Sequence, residues 1–172
     1  TLRRVVALLV AAAGFLLMNG RHDWTVDEAE ALLARPFHDL LADAHATHRQ
    51  AFDPHVVEAA MLLSVKTGAC PEDCAYCPQA AKWKTSLKPE PLMATEEIVG
   101  AARAAQAAGA TRFCLGAAWR SPSDRQVEEI AEAVVAVKEI GLETCATLGM
   151  LTTDQAQRLA RAGLDFYNHN LD

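Results

Sequence analysis

Three cysteines lie close together near the middle of the sequence, at positions suited to hold a metal centre. Cys70, Cys74 and Cys77 follow a C-x-x-x-C-x-x-C spacing, which supplies three thiolates and no fourth. A structural zinc site normally has four protein ligands, and an electron-transfer iron–sulfur cluster is normally held by four cysteines. The spacing therefore favours an iron–sulfur cube that keeps one iron open to a substrate or cosubstrate.

Two further cysteines, Cys114 and Cys145, each lie inside a predicted strand. On residue type alone, each is more simply a small buried side chain, because free cysteine is among the most buried residue types. In a barrel, however, the inward-facing residues of neighbouring strands converge, so two thiolates could share a metal site. The residues alone leave both interpretations open.

A row of polar side chains ends the sequence, with Asn168, Asn170 and Asp172 at alternate positions. Alternate side chains of a strand share one face. Two amides and a carboxylate pointing into a barrel are poorly explained by packing, because buried polar groups require partners. A strand end exposed to water is the plainer alternative.

Composition narrows the class of protein. The chain has 172 residues, of which 51% are hydrophobic and 22% charged, as in a globular domain with a real core. Its formal net charge is −6 without a block of Lys and Arg, so a nucleic-acid partner is not expected. Five cysteines, three of them in one loop, argue against a secreted disulfide framework and favour the reducing cytoplasm.

The first eighteen residues form an apolar leader that differs from the rest of the chain. Arg3 and Arg4 precede an apolar run from Val5 to Met18, in the manner of a signal peptide. The run is too short for a comfortable membrane span, so no membrane association is expected. We interpret Met18 as the true start and the residues upstream of it as extraneous leader; an export or anchor segment and a packed helix are the alternatives.

Helix and strand patterns follow that leader. Residues 19–55 predict an N-terminal helical segment, with apolar residues at helical spacing over 26–48 and a break at Pro36. Residues 56–172 alternate strands and helices. The predicted strands are 61–65, 112–118, 143–148 and 165–170. Three helices are predicted between them: the first is capped at Thr95 and ends near Gly109, the second is capped at Ser123 and ends at Gly141, and the third starts at Thr153 and ends at Gly163.

This alternation predicts the fold class. Strands separated by helices of this length imply parallel β-α-β units with right-handed crossovers. Four strands are half of an eight-stranded barrel, and the sequence ends with the fourth strand as an open edge. We therefore predict an α/β fold: the N-terminal half of a (β/α)8 TIM-type barrel, preceded by N-terminal helices, in a truncated chain.

Three motifs stand out in this sequence: KTGACPEDCAYCPQ at 66–79, TRFCLGAAWR at 111–120 and YNHNLD at 167–172. Together they resemble those of the biotin synthases, a family of radical S-adenosylmethionine enzymes. The resemblance runs from about Trp24 to the last residue and leaves out the leader. Three motifs in the right order are much more specific than any one of them.

The resemblance implies a 4Fe-4S cluster on Cys70, Cys74 and Cys77, with S-adenosylmethionine chelating the open iron. The reduced cluster would split this cosubstrate into methionine and a 5′-deoxyadenosyl radical, which takes hydrogen from the substrate. A cofactor must carry this step, because side-chain acids and bases cannot activate a saturated carbon. The implied reaction converts dethiobiotin to biotin by radical sulfur insertion, with no residue acting as catalytic acid or base.

The resemblance also gives roles to the other candidates. It implies that Cys114 and Cys145 bind a 2Fe-2S cluster, the sulfur source, whose remaining two ligands would lie beyond the end of this sequence. The implied contacts with S-adenosylmethionine and substrate are Tyr76 at the adenine, Asn170 and Asp172 at the ribose region and the substrate, and Asn168 as a supporting neighbour.

The implied partners are dethiobiotin and an electron donor such as a flavodoxin- or ferredoxin-type protein, with a homodimer for the full-length enzyme. The isolated chain is expected to be inactive. Another radical S-adenosylmethionine barrel enzyme is an alternative, although such an enzyme has no need of Cys114 and Cys145. Alternatives of other classes are a redox-sensing thiol cluster and a zinc-binding structural module, in which Cys114 or Cys145 completes the loop's three thiolates.

Overall fold

The computed structural model describes residues 23–169, which divide into two compact units between Val57 and Glu58. The predicted leader at 1–18 and two predicted site residues, Asn170 and Asp172, lie outside the described residues. Within 23–169, no helix is long and apolar enough to cross a membrane.

The first unit contains two helices, α1 (Val26–Leu33) and α2 (Phe37–Ala51). A capping box starts α1, because the Thr25 hydroxyl accepts from the Glu28 amide at 3.3 Å and the Glu28 carboxylate accepts from the Thr25 amide at 2.9 Å. The predicted break at Pro36 is confirmed, since this proline is the N-cap of α2. No residue of either helix is buried among the described residues, so these helices add no core of their own.

The second unit is a four-stranded parallel sheet with helical crossovers. Each strand pairs with its neighbour in sequence, in the order β1-β2-β3-β4. This order is the one expected for the first half of a (β/α)8 barrel. The strands are β1 (Ala60–Lys66), β2 (Arg112–Ala117), β3 (Glu143–Thr147) and β4 (Phe166–Tyr167), and the helices between them are α3 (Thr95–Ala107), α4 (Asp124–Ile140) and α5 (Thr153–Arg161).

One face of the sheet packs against the helices and forms the core. Phe113 and Leu115 of β2 and Ala146 of β3 are buried there, because alternate residues of a strand point to the same side. The helices contribute a matching set of buried residues: Ile98, Ala102, Ala105, Val127, Ile130, Val134, Val137 and Leu159. The other face is open, and Leu62 of β1 is 71% exposed on it.

Two sequence predictions about element ends are corrected by the structure. The N-cap of α3 is Ala94 rather than Thr95, and the Glu97 carboxylate accepts from the Ala94 amide at 3.2 Å. An alanine has no side-chain acceptor, so the sequence signal pointed to the threonine one position later. Within residues 23–169 the fourth strand covers Phe166–Tyr167 and leaves out the predicted positions 165, 168 and 169, although the Asn168 amide still donates to the Ala146 carbonyl at 2.9 Å.

Asp165, which precedes β4, anchors that strand to the helical layer. Its carboxylate accepts from the amide of Thr144 at 2.7 Å and from the Lys138 ammonium group at 2.8 Å. Burial alone would raise the pKa of Asp165, but hydrogen bonds from Lys138 and Thr144 outweigh burial and lower it. The ionised carboxylate therefore stabilises the junction of β3, α4 and β4.

We expect Asp165→Asn to lower the free energy of unfolding by about 1–3 kcal/mol at pH 7, because it leaves buried donors without a charged acceptor. A carboxylate with a lowered folded-state pKa stabilises above its unfolded-state pKa, and that stabilisation is lost as pH falls through the folded-state pKa. In urea unfolding followed by circular dichroism, the difference between the two proteins should therefore shrink in acid. Glu129→Gln, at an exposed ion pair, is the control. A difference that grows as pH falls would contradict the assignment.

Candidate metal centre

The cysteine loop leaves β1 through two residues in the left-handed region of backbone space. Gly68 has φ +71°, and a side chain there would place its Cβ 3.2 Å from the carbonyl oxygen of Lys88. Ala69 follows with φ 49°. This left-handed conformation is unfavourable for alanine, whereas glycine adopts it without a steric penalty. These two residues turn the chain out of the strand directly before Cys70.

Backbone hydrogen bonds close the loop behind the turn. The Cys70 amide donates to the Gln79 carbonyl at 2.9 Å, and the Ala81 amide donates to the Cys70 carbonyl at 2.8 Å. The side-chain oxygen of Gln79 also accepts from the Gly68 amide at 2.9 Å. The two ends of the loop are thus joined by protein contacts that need no metal.

Two side chains beyond the loop hold its centre. The indole Nε1 of Trp83 donates to the carbonyl of Cys74 at 3.3 Å, and the ammonium group of Lys82 donates to the carbonyl of Asp73. The same ammonium group lies 4.9 Å from the Trp83 ring centroid, a cation–π contact. Sequence reasoning gave Trp83 no such role, since no local pattern joins a side chain to a carbonyl nine residues earlier.

The three loop thiols are half-buried and form no disulfide. Nowhere within residues 23–169 do three or more His, Cys, Asp or Glu side chains surround one ion position. An iron–sulfur cube does not require such convergence, because each thiolate binds a different iron. Tyr76 is 69% exposed and, with Trp83, borders a cavity of about 200 Å³ beside Cys77. Three half-open thiols on a closed loop fit the donor set of a cube.

The end of β2 lies against this loop. The Lys66 ammonium group donates to the Ala118 carbonyl at 3.1 Å. The Arg120 side chain lies 3.6 Å from the carboxylate of Glu72, a residue between the first two loop cysteines in sequence. The carboxyl ends of parallel strands meet at one edge of the sheet, where barrels of this class carry their chemistry. The structure therefore joins the first and second sequence motifs at that edge.

The chain after β3 is tied to the same edge. At Gly149, with φ +86°, a Cβ would lie 2.4 Å from the Arg120 carbonyl oxygen, so only glycine fits there. Met150 donates its amide to that carbonyl at 2.8 Å. The Tyr167 hydroxyl accepts from the Leu148 amide at 3.2 Å and donates to the Gly149 carbonyl, and burial raises the pKa of Tyr167. Asn168, directly after Tyr167, therefore lies at the shared edge.

Cys114 and Cys145 are brought together on the open face of the sheet. They are register partners on adjacent strands, and both are half-buried. Burial, together with the neighbouring Cys145, raises the pKa of Cys114 to about 11. Without a metal this thiol is therefore protonated near pH 7 and must release its proton when a metal binds.

An arginine that sequence reasoning missed lies beside this pair. Arg112 pairs with Glu58 at 2.8 Å and with Glu143 at 2.9 Å, and its guanidinium carbon lies 4.0 Å from the centroid of the Phe166 ring. Its charge favours the Cys114 thiolate, although less strongly than burial opposes it. The signal was present: Arg112 and Glu143 each stand two positions before a cysteine, and alternate residues of a strand share a face.

We expect alkylation of Cys114 by iodoacetamide in the metal-free chain to rise about tenfold per pH unit between pH 8 and pH 10, because only the thiolate reacts. This range lies below its pKa of about 11. Arg112→Gln should slow the reaction further, and Arg103→Gln, at an exposed site on α3, should leave it unchanged. Mass spectrometry of the Cys114 peptide measures the rate. A plateau below pH 9 would contradict the raised pKa.

Comparison with known proteins agrees with these features. The family model described as the Radical SAM superfamily matches residues 64–172. A biotin synthase of Alkalilimnicola ehrlichii is 60% identical over 152 residues, which are 88% of this chain and 46% of the relative. A biotin synthase of Shewanella denitrificans is 57% identical over 156 residues, 91% of this chain and 44% of the relative. The chain thus spans about half the length of the curated relatives it matches.

A solved structure supports the fold. The crystal structure of methylornithine synthase (PylB) superposes with a TM-score of 0.64 at 18% identity, and the match covers 91% of this chain and 46% of that protein. At this identity the likeness concerns the fold alone. The predicted fold class, a parallel α/β half-barrel, is confirmed.

Proposed function

The chain belongs to the radical SAM superfamily, and from this premise we propose that it is the N-terminal half of a biotin synthase, which converts dethiobiotin to biotin. The observation that carries the proposal is the loop of three thiols at the carboxyl edge of the sheet, together with a second thiol pair on the open face. The similarity to curated biotin synthases at about 60% identity supports the same reaction.

In this proposal Cys70, Cys74 and Cys77 hold a 4Fe-4S cluster with S-adenosylmethionine, which together supply the radical that removes hydrogen from a saturated carbon. The protein keeps the loop in shape before any cluster binds, through the Gln79 contacts and the Trp83 hydrogen bond. Pre-organised ligands need less reordering on binding, which favours assembly.

Cys114 and Cys145 would hold a 2Fe-2S cluster with two ligands outside these residues. They lie on the open face of the sheet, and their proximity fits a shared site. The Arg112 guanidinium would stabilise the Cys114 thiolate once that thiol has released its proton. This pair favours sulfur insertion over the chemistry of a superfamily member without a second cluster.

Contacts with the cosubstrate and substrate are assigned to Tyr76, Asn168, Asn170 and Asp172. Tyr76 is suited to contact an adenine, because its ring is largely exposed beside Cys77. Asn168 lies at the end of β4, and the other two residues follow it in sequence. Aromatic and amide side chains of this kind supply the contact surface and hydrogen bonds that orient a small ligand.

The remaining proposals concern the setting of the reaction. They are a flavodoxin- or ferredoxin-type electron donor, a homodimer of the full-length protein and a cytoplasmic location. A reducing compartment is proposed because an oxygen-sensitive cluster and free thiols require reducing conditions.

Anaerobic reconstitution of the chain with iron and sulfide tests the first cluster. We expect about four irons on the loop, a brown colour, and an electron paramagnetic resonance signal of the reduced cluster that changes when S-adenosylmethionine is added. Cys74→Ala should abolish this signal, whereas the matched variant Cys114→Ala should retain it, because Cys114 lies on the other site. A colourless protein with stoichiometric zinc would instead indicate the zinc-binding module.

We expect no dethiobiotin-dependent turnover from the isolated 172-residue chain. The proposed second cluster lacks two of its ligands among these residues, so sulfur delivery should fail even when the first cluster assembles. Formation of 5′-deoxyadenosine and of biotin, measured separately by mass spectrometry, distinguishes the two steps. Biotin formed by this chain alone would contradict the expectation.

A further inference from the structure

The loop that follows the third cysteine carries the opposite charge to the chain as a whole. The chain has a formal net charge of −6, yet residues 75–89 contain Lys82, Lys84 and Lys88 and no Asp or Glu. All residues from 82 to 88 are exposed. We refer to residues 82–88 as the lysine segment. It is a cationic surface on an acidic protein.

Most of this positive charge is not neutralised. In the part of the chain that the structure describes, Lys82 alone of the three lysines forms an ion pair, with Asp73 at 3.7 Å. Lys84 and Lys88 are exposed and have no carboxylate within ion-pair distance among those residues. Two ammonium groups are therefore free to attract an anionic surface.

The lysine segment is also joined directly to the proposed cluster loop. Trp83 is 46% exposed at the surface, and its indole donates to the carbonyl of Cys74, one of the three proposed ligands. Tyr76, assigned above to the adenine, is also exposed and lines the same small cavity. A partner seated on the Trp83 ring would be separated from Cys74 by that single side chain.

We propose that the lysine segment is the docking surface for an acidic protein that carries one low-potential electron, as on a reduced flavin. This inference rests on the proposed function, because the electron needs the cluster of Cys70, Cys74 and Cys77 as its acceptor. One electron leaves the carrier and enters the cluster, so the carrier is oxidised and the cluster reduced by one electron, and no bond or proton is transferred. Lys84 and Lys88 attract the carrier, and Trp83 forms the contact.

The positive charge of the lysine segment favours a carrier protein with an acidic face. Charge complementarity of this kind mainly accelerates the encounter between two protein surfaces. The chain's other carboxylates would repel such a carrier elsewhere, since its net charge is −6. The lysine segment is therefore a local exception that orients the carrier towards the cluster loop.

The test uses the whole chain with its first cluster reconstituted anaerobically, and flavodoxin reduced to the hydroquinone as the probe. Stopped-flow absorbance gives the second-order rate of cluster reduction, and fluorescence of oxidised flavodoxin gives the affinity without any turnover. We expect K84E/K88E to lower the rate roughly tenfold or more at low salt. The difference should largely vanish at about 0.5 M salt, because screening removes it.

Two controls separate charge at this surface from total charge and from damage to the cluster. R103E/R161E changes the net charge by the same amount at exposed positions on α3 and α5, and should leave the rate nearly unchanged. Photoreduced deazariboflavin, a small neutral reductant, should reduce the cluster of every variant at the same rate.

The outcomes distinguish the two proposals. If the cluster assembles and flavodoxin reduces the chain and K84E/K88E equally fast, or if R103E/R161E is slowed as much, the docking surface is wrong and the proposed function stands. If no cluster assembles on the unsubstituted chain, the proposed function fails, and the docking surface fails with it.

Discussion

The register between β2 and β3 is the constraint on which the rest of the structure depends. It places Phe113 and Leu115 in the core and, in the same strand, sets Cys114 opposite Cys145 on the open face. Because side chains alternate with a period of two, a slip of either strand by one residue would turn that strand's thiol towards the helices and expose its core residues. Hydrophobic burial therefore fixes the position of the sulfur atoms.

The two groups of cysteines proposed to bind clusters are positioned in two different ways. The loop cysteines are held by backbone hydrogen bonds and by Trp83, so their positions depend on local closure. Cys114 is held by the sheet, where burial keeps its thiol protonated and the charge of Arg112 partly opposes this. The loop cysteines are thus positioned by local hydrogen bonds, whereas Cys114 is positioned by the sheet and its protonation is set by burial and nearby charge.

The order of the elements could be predicted from the sequence because each signal was local. The capping box of Ser123 and Gln126 and the alternating strand residues are read within a few positions. The roles of Arg112 and Trp83 could not be predicted in this way. Arg112 contacts residues that are distant in sequence, and the contact of Trp83 follows no repeating pattern. The length of the fourth strand was overestimated for a similar reason. That length depends on where β3 ends, and the residues of β4 carry no information about the end of β3.

The left-handed alanine before Cys70 limits which substitutions the loop can tolerate. At φ 49°, Ala69 already occupies a region that branched side chains enter only at considerable cost. In a saturation library, glycine and asparagine should survive at this position and valine or isoleucine should be purged, regardless of their hydrophobicity. The mutational tolerance of the residue next to a proposed cluster ligand would thus be set by backbone sterics instead of by chemistry.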